Sequence, residues 1–175
     1  ERKMFAIPTT GVHSVTIPGS IDAWATILRD HGKLGFDTLL QPAIKAAEEG
    51  YIVAPRIAFD WKNAFEKLRT GINAPRYLLP HGKPPVAGDV MKQPELGRTL
   101  RIIAKQGRDG FYKGEVADDM VATLQAHGGL HTLDDFAAHT TETTTPIGTT
   151  YKGLDVWQCP PNGPGITMLV MLNIL

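Results

Sequence analysis

At 175 residues, with 42% apolar and 21% charged side chains, the chain has the make-up of a soluble globular protein and enough length for a real core. Its 18 basic residues balance 18 acidic ones, and no block of like charge could serve as a nucleic-acid footprint or a polybasic membrane surface. The longest apolar run falls far short of the roughly 20 residues of a membrane span, and the single cysteine, Cys159, excludes an internal disulfide. A lone cysteine at the end of an apolar strand reads as a small buried hydrophobe, and one cysteine is compatible with cytosol or periplasm.

In chain order, residues 1–19 form an extended lead-in, with a short strand expected over His13-Ser14-Val15-Thr16-Ile17 and a break at Pro18-Gly19. Ser20 is placed to N-cap a helix reaching Asp30, with Ile21, Trp24, Ile27 and Leu28 along one face. A second helix is expected from about Asp37 to Glu49, with Pro42 near its first turn, Gly50 as its stop and alanines for close packing. A third follows Pro55, its Ile57, Trp61, Phe65 and Leu68 forming a stripe with core spacing. Residues 70–89, with Pro75, Pro80, Pro84 and Pro85, read as a long loop that is either functional or wraps the surface.

Pro94 opens a fourth helix running to Gly107, and residues 109–114 read as a turn-rich link. A fifth helix spans Glu115 to His127, with Val116, Met120, Val121 and Leu124 inward. Thr132-Leu133-Asp134-Asp135 has the form of a capping box for a short sixth helix to about His139, with Asp in place of Glu. After a Thr-dense segment, Pro146–Thr150 and Leu154–Cys159 read as a hairpin hinged at Tyr151-Lys152-Gly153. A Pro/Gly loop over residues 160–165 then leads into Ile166–Leu175, interrupted only by Thr167 and Asn173; a helix apolar all round belongs in an interior. No C-terminal stop signal closes this last helix, so the expectation is a partial domain truncated at both ends. Residues 1–139 would be its helical part, and residues 140–175 a hairpin plus a buried helix. The fold class is α+β and mostly helical, with too few strands to form a sheet alone.

No constellation of residues assembles a complete site. The strand, glycine turn and helix around Gly163-Pro164-Gly165 invite a nucleotide- or anion-binding reading, because N–H groups at a helix start attract anions. Met168 stands where the dinucleotide fingerprint requires a small residue, however, and no P-loop lysine is present. The six histidines (His13, His31, His81, His127, His131 and His139) lack metal-site spacing; His31, His127 and His139 sit where helix ends favour imidazole. The adjacent carboxylates Glu48-Glu49, Asp118-Asp119 and Asp134-Asp135 diverge on a helix, which suits solvated faces and caps. The Thr cluster offers a nucleophile only beside a base, or if one of its residues becomes a chain N-terminus.

Five stretches, in one order over nearly the whole chain, resemble the γ-glutamyltranspeptidase family. Ser14-Val15-Thr16-Ile17-Pro18-Gly19-Ser20-Ile21-Asp22-Ala23-Trp24 is similar to its S-V-x-V-P-G-x-V-x-G-W segment, and Gln41 through Tyr51 to its P-A-I-x-L-A-E-x-G-F. Gly107-Arg108-Asp109-Gly110-Phe111-Tyr112-Lys113-Gly114 resembles G-x-x-x-F-Y-x-G, and Gly128-Gly129-Leu130 with Leu133-Asp134-Asp135-Phe136 resembles G-G-x-x-T-x-x-D-L. Tyr151-Lys152-Gly153, the loop after Pro160 and Met171-Leu172-Asn173-Ile174-Leu175 follow the family's pattern for a hairpin, loop and helix. Asn162-Gly163-Pro164 departs from the Ser/Gly many members carry, as in a divergent branch.

The resemblance implies an N-terminal-nucleophile hydrolase with a four-layer αββα sandwich, made as a precursor that cuts itself into large and small subunits. A Thr at the new N-terminus would attack a γ-glutamyl amide of glutathione or a related compound, its own amine (pKa near 8) acting as base. Donors aimed at the tetrahedral oxyanion would stabilise it. The family's T-T-H nucleophile motif is matched by neither Thr140-Thr141 nor Thr143-Thr144-Thr145, and its glutamate-binding G-R-x-x-A-P arginine is not matched by Arg2. No catalytic, substrate-binding or metal residue, and no cofactor, is therefore assigned on this chain. The implied partners are the remainder of the large subunit, the small subunit and a small-molecule amide, without nucleic acid or membrane, and the chain alone is expected to self-associate. Relatives on this scaffold act on other amides, including oxamate and cephalosporin side chains, and are often periplasmic or secreted.

Overall fold

The computed structural model describes residues 6–160 and 163–175, so Arg2, Pro161 and Asn162 of the motifs above lie outside the described residues. The described residues are mostly helical with two small antiparallel strand pairs, and the chain divides into two compact units, Glu1–Thr140 and Thr141–Leu175.

The first unit opens with a 3-10 turn at Val12–Ser14; the strand expected over His13–Ile17 is absent, and Val15–Pro18 runs on without a ladder. Two apolar β-branched residues do not make a strand where no edge is offered. Helix α1 spans Ser20–His31. Gly19 is its N-cap, and Ser20, already helical, makes no side-chain cap hydrogen bond. Only Ile21 of the expected apolar stripe is buried, while Trp24 and Ile27 are exposed.

The second expected helix is two, α2 at Phe36–Leu39 and α3 at Gln41–Glu49. Pro42 has no N–H for the Thr38 carbonyl and its ring crowds that oxygen, so the pattern breaks at Leu40. The alanine-rich α3 packs on α7, Pro94–Gln106, as its composition suggests. A Cβ on Gly97 of α7 would lie 2.6 Å from Cγ of Glu48.

Between α3 and α7 the chain makes an excursion. It leaves through strand β1, Tyr51–Ile52, and returns through β2, Val90–Met91, paired antiparallel with Tyr51 opposite Met91. Hydrogen bonds from Val53 N–H to Asp89 O (2.9 Å) and from Gly88 N–H to Val53 O (3.0 Å) tie the two ends. Inside the excursion the expected third helix is again two, α4 at Pro55–Asn63 and α5 at Phe65–Thr70, hinged at Ala64. Neither contributes a buried residue, so the aromatic stripe assigned to a core is at best half-buried. The long loop holds a further helix, α6 at Ala74–Leu78, started by left-handed Asn73 and Pro75.

The core lies where α1, α7, α8 (Asp109–Tyr112), α9 (Glu115–Ala126) and α10 (Leu133–Ala138) meet; its buried members are Ile21, Ile103, Tyr112, Ala117, Val121 and Phe136. The capping box of α10 is formed as expected: Asp135 N–H donates to Thr132 Oγ1 (3.2 Å), and Thr132 N–H donates to Asp135 Oδ2 (2.8 Å).

In the second unit, β3 (Ile147–Tyr151) and β4 (Leu154–Gln158) pair antiparallel, with Tyr151 opposite Leu154. The two-residue turn has Lys152 at φ 49° and Gly153 at φ 80°, the left-handed pair that matches strand twist. Helix α11, Gly165–Ile174, packs on both strands. Of its apolar residues only Leu169 is buried; Val170, Met171 and Ile174 are exposed, Ile174 at 79%. The expected burial is not met because one hairpin covers only one side. Cys159 is exposed, which overturns its reading as a buried hydrophobe. No described helix is long and apolar enough to cross a membrane.

Candidate functional site

Two of the stretches singled out in the sequence, residues 14–24 and 107–114, meet the end of α10 in one polar cluster in the first unit. Asp22, in the first turn of α1, is 5% exposed, yet its carboxylate Oδ1 accepts from Arg108 Nε. Arg108 precedes α8 and spends its guanidinium locally. Besides Asp22 it donates to Asp109 Oδ1 (3.0 Å), to Ala137 O (3.4 Å) and to His139 O. Its Cζ lies over the Tyr112 ring, 4.7 Å from the centroid, and the His139 imidazole stacks on the same ring at 5.5 Å. Tyr112, fully buried, donates its hydroxyl to Pro18 O (2.6 Å) and accepts from Asp22 N–H (3.2 Å).

Sequence logic explains the parts. The Tyr112 hydroxyl stands between Asp22 N–H and Pro18 O, the two groups that one more helical i→i−4 bond would join. Gly19 leaves room for His139, since a Cβ there would stand 3.1 Å from Nε2. Burial alone would lower the pKa of Arg108, but the hydrogen bonds to Asp22 and Asp109 outweigh it and raise it. Asp109 is held below the usual carboxylate range by its hydrogen bond from Lys113 and, next, from Arg108. Burial pushes the Tyr112 phenol upward.

Chemically this is a staple. Four of the guanidinium's five N–H groups are committed to partners within the chain, so it is not set up as a fork for a substrate carboxylate. The other features are equally local. Glu48 takes both arms of Arg101, each at 2.6 Å, and Asp135 serves its cap. His127 bonds Thr123 O (2.9 Å). His131 Nε2 donates to Val15 O (2.9 Å), while its buried Nδ1 has no hydrogen-bond partner among the described residues. Among the described residues no three His, Cys, Asp or Glu side chains gather to hold a metal. In the Thr-rich segment, Thr150 Oγ1 donates to Asp155 (2.8 Å) and Thr149 Oγ1 to Asn173, both structural bonds of the hairpin unit. Gly165 is small because a Cβ would lie 2.9 Å from Cβ of Gln158, a close approach of strand and helix.

Both stretches are among the five that carry the family resemblance. The chain is 37% identical over 171 residues to the glutathione hydrolase-like YwrD proenzyme of Bacillus subtilis, covering 97% of this chain and 33% of that protein. Among solved structures, cephalosporin acylase from Bacillus halodurans superposes with a TM-score of 0.88 at 39% identity, over 95% of this chain and 32% of that one. The gamma-glutamyltranspeptidase of Helicobacter pylori gives a TM-score of 0.88 at 28% identity, over 96% of this chain and 49% of that one. The chain thus spans about a third of the length of the curated relatives it matches. With the gamma-glutamyltranspeptidase model matched over residues 1–175 as well, the chain belongs to the gamma-glutamyltranspeptidase family.

Proposed function

We propose that these residues are the helical middle of a large subunit, plus a hairpin and helix of the αββα sandwich. The parent enzyme would cleave or transfer γ-glutamyl groups from glutathione or a related amide. The observation carrying this reading is that two of the ordered family-like stretches meet at Asp22, Arg108 and Tyr112, where the polar groups bond to one another rather than to an open cleft. A staple of that kind stabilises a scaffold whose reactive Thr and oxyanion donors come from polypeptide outside this span, and the remainder of the large subunit and the small subunit are its partners. The exposed apolar side of α11 is consistent with such a partner. A second reading, an acylase acting on a cephalosporin-type amide, is favoured by the 39% identity to the Bacillus halodurans acylase.

The test uses the parent protein and the 175 residues side by side. The parent should release nitroaniline from γ-glutamyl-p-nitroanilide, and the 175 residues alone should not. Turnover by the 175 residues would refute placing the nucleophile elsewhere. A parent that hydrolyses a cephalosporin side-chain amide while ignoring the γ-glutamyl anilide would transfer the assignment to the second reading.

A further inference from the structure

The excursion between β1 and β2 contains a groove of about 680 Å³, bounded by α4 and the start of α5 on one side and the strap Gly82–Ala87 on the other. That volume lies in the range of small-molecule sites, about 300–1,000 Å³. Its walls are apolar and unusually bare: Phe59 is 60% exposed and Val86 64%, with Phe65 and Pro84 half-buried beside them. Two lysines, Lys62 and Lys83, are among the residues of the lining. Among the described residues neither forms an ion pair, and the nearby carboxylates are engaged elsewhere. Asp60 holds Arg56 at 2.9 Å, Glu66 holds Arg69 at 2.6 Å, and Asp89 Oδ2 accepts the Val86 N–H at 2.9 Å.

The strap is also prearranged. His81 sits at φ 55°, ψ 27°, a region few non-glycine residues adopt. Pro84 and Pro85 fix two further φ angles, and Asp89 closes the turn through Val86. A wall already in its bound shape loses little entropy when a ligand docks.

We infer that this groove binds a small organic anion, an aromatic or branched-aliphatic body carrying a carboxylate, with the body against Phe59, Phe65 and Val86 and the charge between Lys62 and Lys83. The inference is independent of the enzymatic reading. Charge complementarity selects this occupant: a neutral apolar molecule would leave both ammonium groups unanswered, and a cation would be repelled.

The 175-residue chain is titrated at low ionic strength with 2-naphthoate, its neutral isostere 2-naphthamide and 2-naphthylmethylammonium, and binding is followed by calorimetry and by amide chemical shifts. Naphthoate should bind saturably, about tenfold tighter than the amide, with shifts confined to residues 58–65 and 82–87, and the ammonium should not bind. Lys62→Glu and Lys83→Glu should each weaken naphthoate about fivefold or more, and added salt should weaken it further. Both side chains are exposed, so unchanged circular dichroism shows that the variants fold. Equal affinity for acid and amide, indifference to either charge reversal, shifts centred elsewhere, or no saturable binding would each overturn the assignment.

Discussion

The two units treat apolar sequence in opposite ways. In Glu1–Thr140 buried residues from five helices, Phe136 and Tyr112 among them, form one cluster, and even charged groups are drawn under cover, as Asp22 is by Arg108. In Thr141–Leu175 a helix more apolar than any of these meets one hairpin and keeps most of its surface exposed. Composition sets what an element would gain from burial, and the number of neighbours sets how much of it is buried. The second unit has the stronger hydrophobic signal and the thinner core.

The sharpest way to break that contrast is Arg108→Met. It removes the guanidinium that neutralises a buried carboxylate, and the first unit should lose about 3 kcal/mol in denaturant unfolding. The double variant with Asp22→Asn should recover part of the loss. Next comes Tyr112→Phe, which deletes the hydroxyl joining Pro18 O and Asp22 N–H, at about 1–2 kcal/mol.

Tyr112 also sharpens the comparison through pH. Burial raises its folded pKa above the unfolded value near 10. The native phenol therefore stays neutral while the unfolded chain ionises. Stability should be full below about pH 10 and fall as pH rises toward the folded value, a limb that Tyr112→Phe flattens. Thr132→Ala should cost about 1 kcal/mol through the lost cap of α10. Hydrogen bonds from the Thr132 hydroxyl and then its backbone hold Asp135 below its unfolded value near 4, so this cap is intact above that pH and is lost as pH falls through the folded pKa. The acid limb should be shallower in Thr132→Ala. The smallest effect belongs to the other unit: Met171→Lys and Ile174→Lys should change unfolding free energy by less than about 0.5 kcal/mol. They should nonetheless reduce self-association in light scattering, because they interrupt an exposed apolar surface.

What could be read ahead of the structure was local. Lys152-Gly153 between alternating residues specifies its hairpin turn, Thr132 with Asp135 specifies its cap, and Pro94 and Gly107 bracket α7. The failures arise where a distant partner decides. The Ile57, Trp61, Phe65 and Leu68 stripe has core spacing, but the excursion brings no second layer to cover it. The break at Ala64 has no glycine or proline to announce it. The last helix has the composition of an interior element, yet spacing cannot reveal how many neighbours it will meet. The staple was hidden differently: Asp22 in a first helical turn looks like a dipole partner, and only the fold brings Arg108, 86 positions away, onto it. The family resemblance spanned both residues without giving either a role.

The paired strands Tyr51–Ile52 and Val90–Met91 make the stretch between them modular. Its entrance and exit lie one hydrogen bond apart, so insertions or deletions within it leave the anchoring helices in place. Doubling the length of such a closed detour adds only about 0.6 kcal/mol of closure entropy. This makes it a natural place for homologues to diverge, and for a laboratory to splice in foreign peptide.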